Sequence, residues 1–257
     1  MKRIIHRALN VFGFDIILVG TLKAEIDRRM AEQERRHLSS IAALRRQRST
    51  APIRPESAPP VVWVSRDELF PAGVRAMADA DVVLDIGCAF HPQKFLDPKV
   101  HICCEPFEEY MDRLMVETAN APRFVYLQCT IEQACALFPA ASVDSVFLND
   151  VIEHVDRDVA EKCLSSLKRI ARRQVILFTP IGYIPQEPDQ EHPDTDQWRM
   201  HGVEWQKHRS GWTPDDFPPG EGWRVIASSD FHQVDGYGRP LEKPCGAMWA
   251  IWNRQES

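Results

Sequence analysis

None of the seven cysteines of this 257-residue chain (Cys88, Cys103, Cys104, Cys129, Cys135, Cys163 and Cys245) forms a C-x-x-C pair. Several sit inside apolar runs such as VHICC. They read as small buried residues of a reducing compartment, not as a disulfide framework. No uninterrupted run reaches the roughly 18 apolar residues that a transmembrane helix needs. His6, Arg7 and Asp15 break the apolar N-terminal stretch, and no small-residue cleavage site follows it. The expected location is cytoplasmic, with an interfacial helix through Ile4, Ile5, Leu9 and Phe12 as the alternative. No G-x-G-x-x-G is present, which counts against a nucleotide-dependent oxidoreductase. The chain has no internal repeat.

A basic footprint is missing from most of the chain. Residues 51–257 carry twenty Lys/Arg against thirty-two Asp/Glu, which argues against nucleic acid as a partner. Residues 1–50 are the exception, with eleven Lys/Arg against five Asp/Glu. They read as a basic helical arm. Leu22, Ile26, Met30, Ile41 and Leu44 could form a weak coiled-coil seam, interrupted by Gln33 and His37. Self-association or peripheral membrane contact through this arm is the corresponding partner expectation. STAPIRPESAPP follows, with four prolines in twelve residues, and neither continues a helix nor packs a core. The expected division is an arm at 1–50, a proline-rich linker at 51–62 and a catalytic-type domain at 63–257.

Within that domain, short apolar strands alternate with helices. VVLDI, VHICC, FVYLQ, DSVFL and QVILFT are continuously apolar or nearly so, and helical patterns separate them. Such strands belong in a mostly parallel sheet covered on both faces. WRVIAS and GAMWAIW have no helix between them and should pair antiparallel. The expected fold is therefore α/β: a doubly wound, mostly parallel seven-stranded sheet with an antiparallel edge strand. An irregular insertion rich in Trp, His and Pro occupies residues 181–221.

The first strand of this set ends in Asp85-Ile86-Gly87. The loop after it faces the ligand at the switch point of a doubly wound sheet, and Gly87 permits close backbone approach there. The second strand runs into Glu105, twenty residues after Asp85. That is the expected place for a carboxylate that accepts bonds from the ribose hydroxyls of an adenosine-containing ligand.

These stretches resemble class I S-adenosylmethionine-dependent methyltransferases, particularly small-molecule enzymes of the methyltransferase type 11 kind. The resemblance spans residues 81–252 and rests on VVLDIGCAF, CCEP, FPAASVDSVFLNDVIEHV and LKRIARRQVILFTP. It implies S-adenosylmethionine as cofactor, held by Asp85, Gly87, Ala89 and Glu105. Cys129 and Thr130 would flank adenine, with Asn149 also on the cofactor side. Ala89 and His91 replace the second and third glycines of the family's loop, so His91-Pro92 should stiffen and re-aim it. Asp150 and His154 fall after the fourth strand, where His154 would act as general base beside the acceptor. The spacing Asp150-x-x-Glu153-His154 is similar to a stretch that holds a divalent cation in ubiquinone-type O-methyltransferases. That cation is the lesser alternative, and no metal ligand is assigned here. His192, His201 and His208 lack the regular spacing of a zinc site. His208, Arg209 and Trp212 resemble a substrate-side loop. The expected activity is methyl transfer to a small polar acceptor, a sugar or another metabolite hydroxyl. A non-catalytic binding or scaffold protein with a degenerate fold is the alternative.

Overall fold

The computed structural model describes residues 28, 32, 35, 36, 38–46, 61–186, 190 and 192–255. Residues 4–12, the seam positions upstream of residue 28, and the prolines of residues 51–60 lie outside the described residues. The chain divides into two units, Met1–Arg46 and Gln47–Ser257. In the first, residues 38–46 are helical. Glu32 pairs with Arg36 at 2.6 Å, one helical turn away.

Among the described residues the strands lie in the second unit: β1 (Val61–Trp63), β2 (Val82–Ile86), β3 (Val100–Cys104), β4 (Phe124–Leu127), β5 (Val143–Asn149), β6 (Ala171–Pro180), β7 (Trp223–Val234) and β8 (Pro240–Asn253). They form one sheet in the order β1-β7-β8-β6-β5-β2-β3-β4. Every pairing is parallel except those of β8, which runs antiparallel to both β6 and β7. The antiparallel pairing expected of the last two strands is present, with β8 enclosed between its neighbours. This sheet has eight strands, not seven. Val61, Val62 and Trp63 pair with Val225, Ile226 and Ala227, so the sheet begins two residues inside the span read as linker.

Helices cover both faces because the strands are apolar on both. Along β5, Val146 and Leu148 point into one core layer and Phe147 into the other. The first layer is closed by α3 (Ile131–Leu137) and α4 (Arg157–Ile170). Ala160, Cys163, Leu164, Leu167 and Ile170 recur at helical spacing and bury one face of α4. The second layer is closed by α1 (Arg66–Ala76), whose Leu69 packs with Phe147 and Trp249. α2 (Glu108–Glu117) buries Tyr110, Met111 and Leu114 with Phe90 and Met200 in a third cluster. Since β2 has β3 on one side and β5 on the other, the chain reverses its winding direction at β2. A crevice opens at the carboxyl ends of the strands there.

Candidate functional site

The loop after β2 is held by two buried carboxylates. Gly87 has φ +64°, and a Cβ at that position would come within 2.8 Å of Val151 Cγ2. Ala89 also takes a left-handed conformation, with φ +46°. Its N–H donates to Glu105 Oε2 at 2.9 Å, and Phe107 N–H donates to Glu105 Oε1 at 2.9 Å. Burial pushes the Glu105 carboxyl up to about 7 against the pull of these two amides. Further along, Gln93 N–H donates to Asp85 Oδ2 at 2.7 Å. The residues in the places of the absent glycines are anchored by aromatic packing. Phe90 lies 4.0 Å from the His91 ring and 5.1 Å from Trp198 of the insertion, centroid to centroid.

On the β4 side, Thr130 caps α3 with a reciprocal capping box to Gln133. This fixes the backbone of residues 129–131 at the crevice. On the β5 side, Asp150 adopts φ +52°, and Asn149 Nδ2 donates to its Oδ2 at 3.0 Å. A 3-10 turn, Ile152–His154, follows. The Glu153 side chain is buried, and its Oε2 accepts from Thr179 Oγ1 at 3.0 Å. Burial, then the Asp150 charge, pushes its carboxyl well up. Desolvation also raises Asp150, to about 7. Because Asp150 opens onto the crevice, that elevation is fullest when a ligand displaces the water. His154 Nδ1–H donates to Lys207 O at 3.2 Å, and its ring meets that of His208 at 4.8 Å. Burial, with His208 second, pushes its imidazole down to about 4.

The insertion closes the remaining side. Arg209 N–H and Ser210 N–H both donate to Glu153 O, at 2.6 and 3.0 Å. Ser210 Oγ donates to Ile152 O at 2.9 Å. The short helix α5 (Val203–Gln206) is thereby set against the crevice.

The resulting pocket has a volume of about 340 Å³. It brings Gly87, Ala89, Glu105, Cys129, Thr130, Asp150, His154 and Arg209 together along its wall. Four residues expected at the site do not line it. Asp85 is turned under the loop, where its carboxylate meets Gln93 N–H and His101. Asn149 lies beside the site, bonded to Asp150. His208 stands behind His154. Trp212 is 1% exposed: it stacks on Phe217, lies under Arg157 and donates Nε1–H to Ser210 Oγ. Packing took the tryptophan because a large indole with one satisfied donor suits a core better than a wet wall. Tyr110, Trp205 and Gln206 line the pocket without having been anticipated. The insertion's lack of periodicity hid the second pair, and Tyr110 read as part of an ordinary amphipathic helix.

The pocket fits an adenosyl sulfonium ligand on two observations. The loop passes so close to Val151 that only glycine is accommodated at position 87. Both Glu105 oxygens hold one amide each and keep a second lone pair for a ribose hydroxyl.

Residues 84–179, from within β2 to within β6, match the family model of a methyltransferase domain. No curated protein sequence is significantly similar to the chain. Solved structures with a similar fold include the YcgJ protein of Bacillus subtilis. It is 14% identical, with 75% of this chain and 100% of that one covered and a TM-score of 0.48. The N-methyltransferase NodS of Bradyrhizobium japonicum, in complex with S-adenosyl-L-homocysteine, is 11% identical over 74% and 86%, with a TM-score of 0.47. A SAM dependent methyltransferase of Archaeoglobus fulgidus is 14% identical over 72% and 90%, with a TM-score of 0.44.

Proposed function

We propose that this chain, whose residues 84–179 match the family model of a methyltransferase domain, is a class I S-adenosylmethionine-dependent methyltransferase that methylates a hydroxyl of a small polar acceptor, a sugar or another metabolite. The observation that carries this reading is that Asp150 and His154 line the same pocket as the loop residues Gly87 and Ala89 and the Glu105 carboxylate. The cofactor, when bound, supplies an electrophilic methyl group. The chain has to align the acceptor, exclude water and receive the acceptor's proton.

Each task falls to different lining residues. The backbone at Gly87 and Ala89 and the Glu105 carboxylate hold the cofactor, with residues 129–131 flanking its base. Asp150 is the better proton acceptor of the two candidate bases. A group with a pKa near 7 is matched to neutral pH, whereas an imidazole near 4 binds a proton weakly. His154 donates Nδ1–H to Lys207 O, so its Nε2 lone pair is left to orient the acceptor. Trp205 and Arg209 from the insertion supply the outer wall against which an acceptor ring would rest.

The test is a pair of measurements. Calorimetric titration with S-adenosylmethionine should show stoichiometric binding that Glu105→Ala weakens. A panel of sugar and polyol acceptors should then show methyl transfer that Asp150→Asn removes. Transfer to amines alone would overturn the hydroxyl assignment.

A further inference from the structure

The turn at residues 196–202 of the insertion is packed against both α2 and the cofactor loop. Trp198 meets the Phe90 ring at 5.1 Å and the Tyr110 ring at 5.5 Å, edge to face in both cases. Phe90 and Tyr110 are themselves 5.7 Å apart, so the three rings close into one cluster. Phe90 directly follows Ala89, whose N–H is held by Glu105. Arg113 of α2 lies 3.7 Å over the Phe90 ring, and its Nη1 donates to Met200 Sδ at 3.9 Å. His201 N–H donates to Glu109 Oε2 at 2.9 Å.

Asp196 ties this turn to the pocket. Its side chain is buried, with Oδ1 accepting the amides of Trp198 and Met200 at 2.9 and 3.1 Å and Oδ2 accepting the Tyr110 hydroxyl. Burial, then the Asp196 carboxylate, pushes the Tyr110 phenol well up, so it remains a donor at neutral pH. The same hydroxyl accepts from the Gln206 side chain, whose Oε1 takes the Gln197 amide at 3.3 Å. A Cβ at Gly202 would clash with Tyr110 Oη and Asp196 Oδ2, so glycine is what lets the chain pass from the turn into α5. Tyr110, Trp205 and Gln206 line the pocket, whereas residues 196–202 do not.

We propose that the turn at residues 196–202 is a positioning element through which bound cofactor sets the acceptor wall. Cofactor held at residues 87–90 fixes Phe90 and Tyr110, these fix Trp198 and Asp196, and the turn fixes Trp205 and Gln206. The acceptor then meets a wall that the cofactor has already ordered. In a packed cluster, restricting one ring restricts its neighbours, and a second ligand that needs the same order pays less conformational entropy to bind. Asp196 and Trp198 act through Tyr110 and α5, so they are positioning residues. The inference rests on the proposed transfer to a small acceptor bound beside the cofactor.

Amide hydrogen exchange of the full-length chain, with and without S-adenosylmethionine, tests the proposal. Residues 198–201 do not line the pocket, so a change there reports transmission and not contact. Coupling between sites ordinarily spans about 5–150-fold, and exchange at 198–201 should slow at least about fivefold when the cofactor binds. Trp198→Ala should abolish that slowing while residues 87–93 stay protected by cofactor, and Trp198→Phe should restore it. Asp196→Asn turns an amide NH₂ toward Tyr110 in place of an acceptor. It should abolish the slowing too, which keeps the test decisive if Trp198→Ala does not fold. A merely structural role would raise exchange by the same factor with and without cofactor. Slowing confined to residues 87–93, or equal slowing in every variant, would overturn the proposal and leave the cofactor site standing. No S-adenosylmethionine binding in calorimetry would instead remove the methyltransferase reading, and this inference with it.

Discussion

Asp85 Oδ2 lies 2.9 Å from His101 Nε2, with both side chains about 1% exposed, and the same oxygen receives Gln93 N–H at 2.7 Å. A buried ion pair on adjacent strands thus holds the far end of the cofactor loop. Burial alone would lower the His101 pKa, but hydrogen bonds to Asp85 and Cys103 and the Asp85 charge raise it to about 9. A folded pKa above the unfolded value of about 6.5 stabilises the fold fully below pH 6.5, and this contribution fades as pH rises through 9. The expected loss is on the order of 3 kcal/mol. Melting temperature measured from pH 6 to 10 should fall across that window and fall less in His101→Gln. Parallel curves for the two proteins would remove the ion pair as the cause.

Ala89→Gly should stabilise the chain. An L-residue at φ +46° carries about 1–2 kcal/mol of left-handed strain, of which glycine returns roughly half after its own entropy cost. Chemical denaturation should show a gain of about 0.5–1 kcal/mol. The bond from residue 89 N–H to Glu105 needs no side chain, so cofactor affinity should hold. A destabilised Gly variant would mean that the methyl group packs productively.

Glu105→Ala should weaken S-adenosylmethionine binding by about 1.5–3 kcal/mol, the range for a charge-assisted hydrogen bond. The substitution also frees the amides of Ala89 and Phe107. Amide exchange at both positions should therefore quicken even without ligand. Unchanged affinity in calorimetry would take Glu105 out of the ribose site.

If Asp150 receives the acceptor's proton, it must be ionised to act. The value of kcat, which reports the ligand-filled site, should then rise with pH and level off above about 7. Asp150→Asn should lower turnover about 10²–10⁴-fold with cofactor affinity intact. A rate that levels off near pH 4 instead would return the role to His154.

Deleting residues 1–50 should leave the sheet-bearing unit folded, since β1 begins at Val61 and the proline-rich stretch precedes it. Circular dichroism and cofactor titration check the fold. Any vesicle binding or self-association of the full chain should disappear. Insolubility of the shortened chain would mean that the arm is needed for packing.

The strands were legible because burial on both faces leaves a continuous apolar signature, and VVLDI, VHICC and QVILFT carry it. Glu105 was legible because strand length and spacing alone place it beside the loop. Val61–Trp63 escaped because three residues show no period and the partner strand lies 164 positions away. Trp212 and Asp85 were misplaced for a related reason. A local motif shows which residues stand near the crevice, but their orientation is set by partners such as Phe217 and His101, and sequence spacing does not connect those residues. The meeting of His208 with His154 is likewise a product of the insertion's path, anchored by backbone bonds that any side chains could have made.

Those anchoring bonds bear on how acceptor preference could be altered. The carbonyl of Glu153 receives the amides of Arg209 and Ser210, so the turn bearing His154 and the insertion bearing Trp205 form one hydrogen-bonded piece. Grafting residues 181–221 from another methyltransferase would leave that carbonyl facing amides spaced for a different turn. The transplantable unit is the pair, residues 150–156 together with residues 203–212, exchanged in one step.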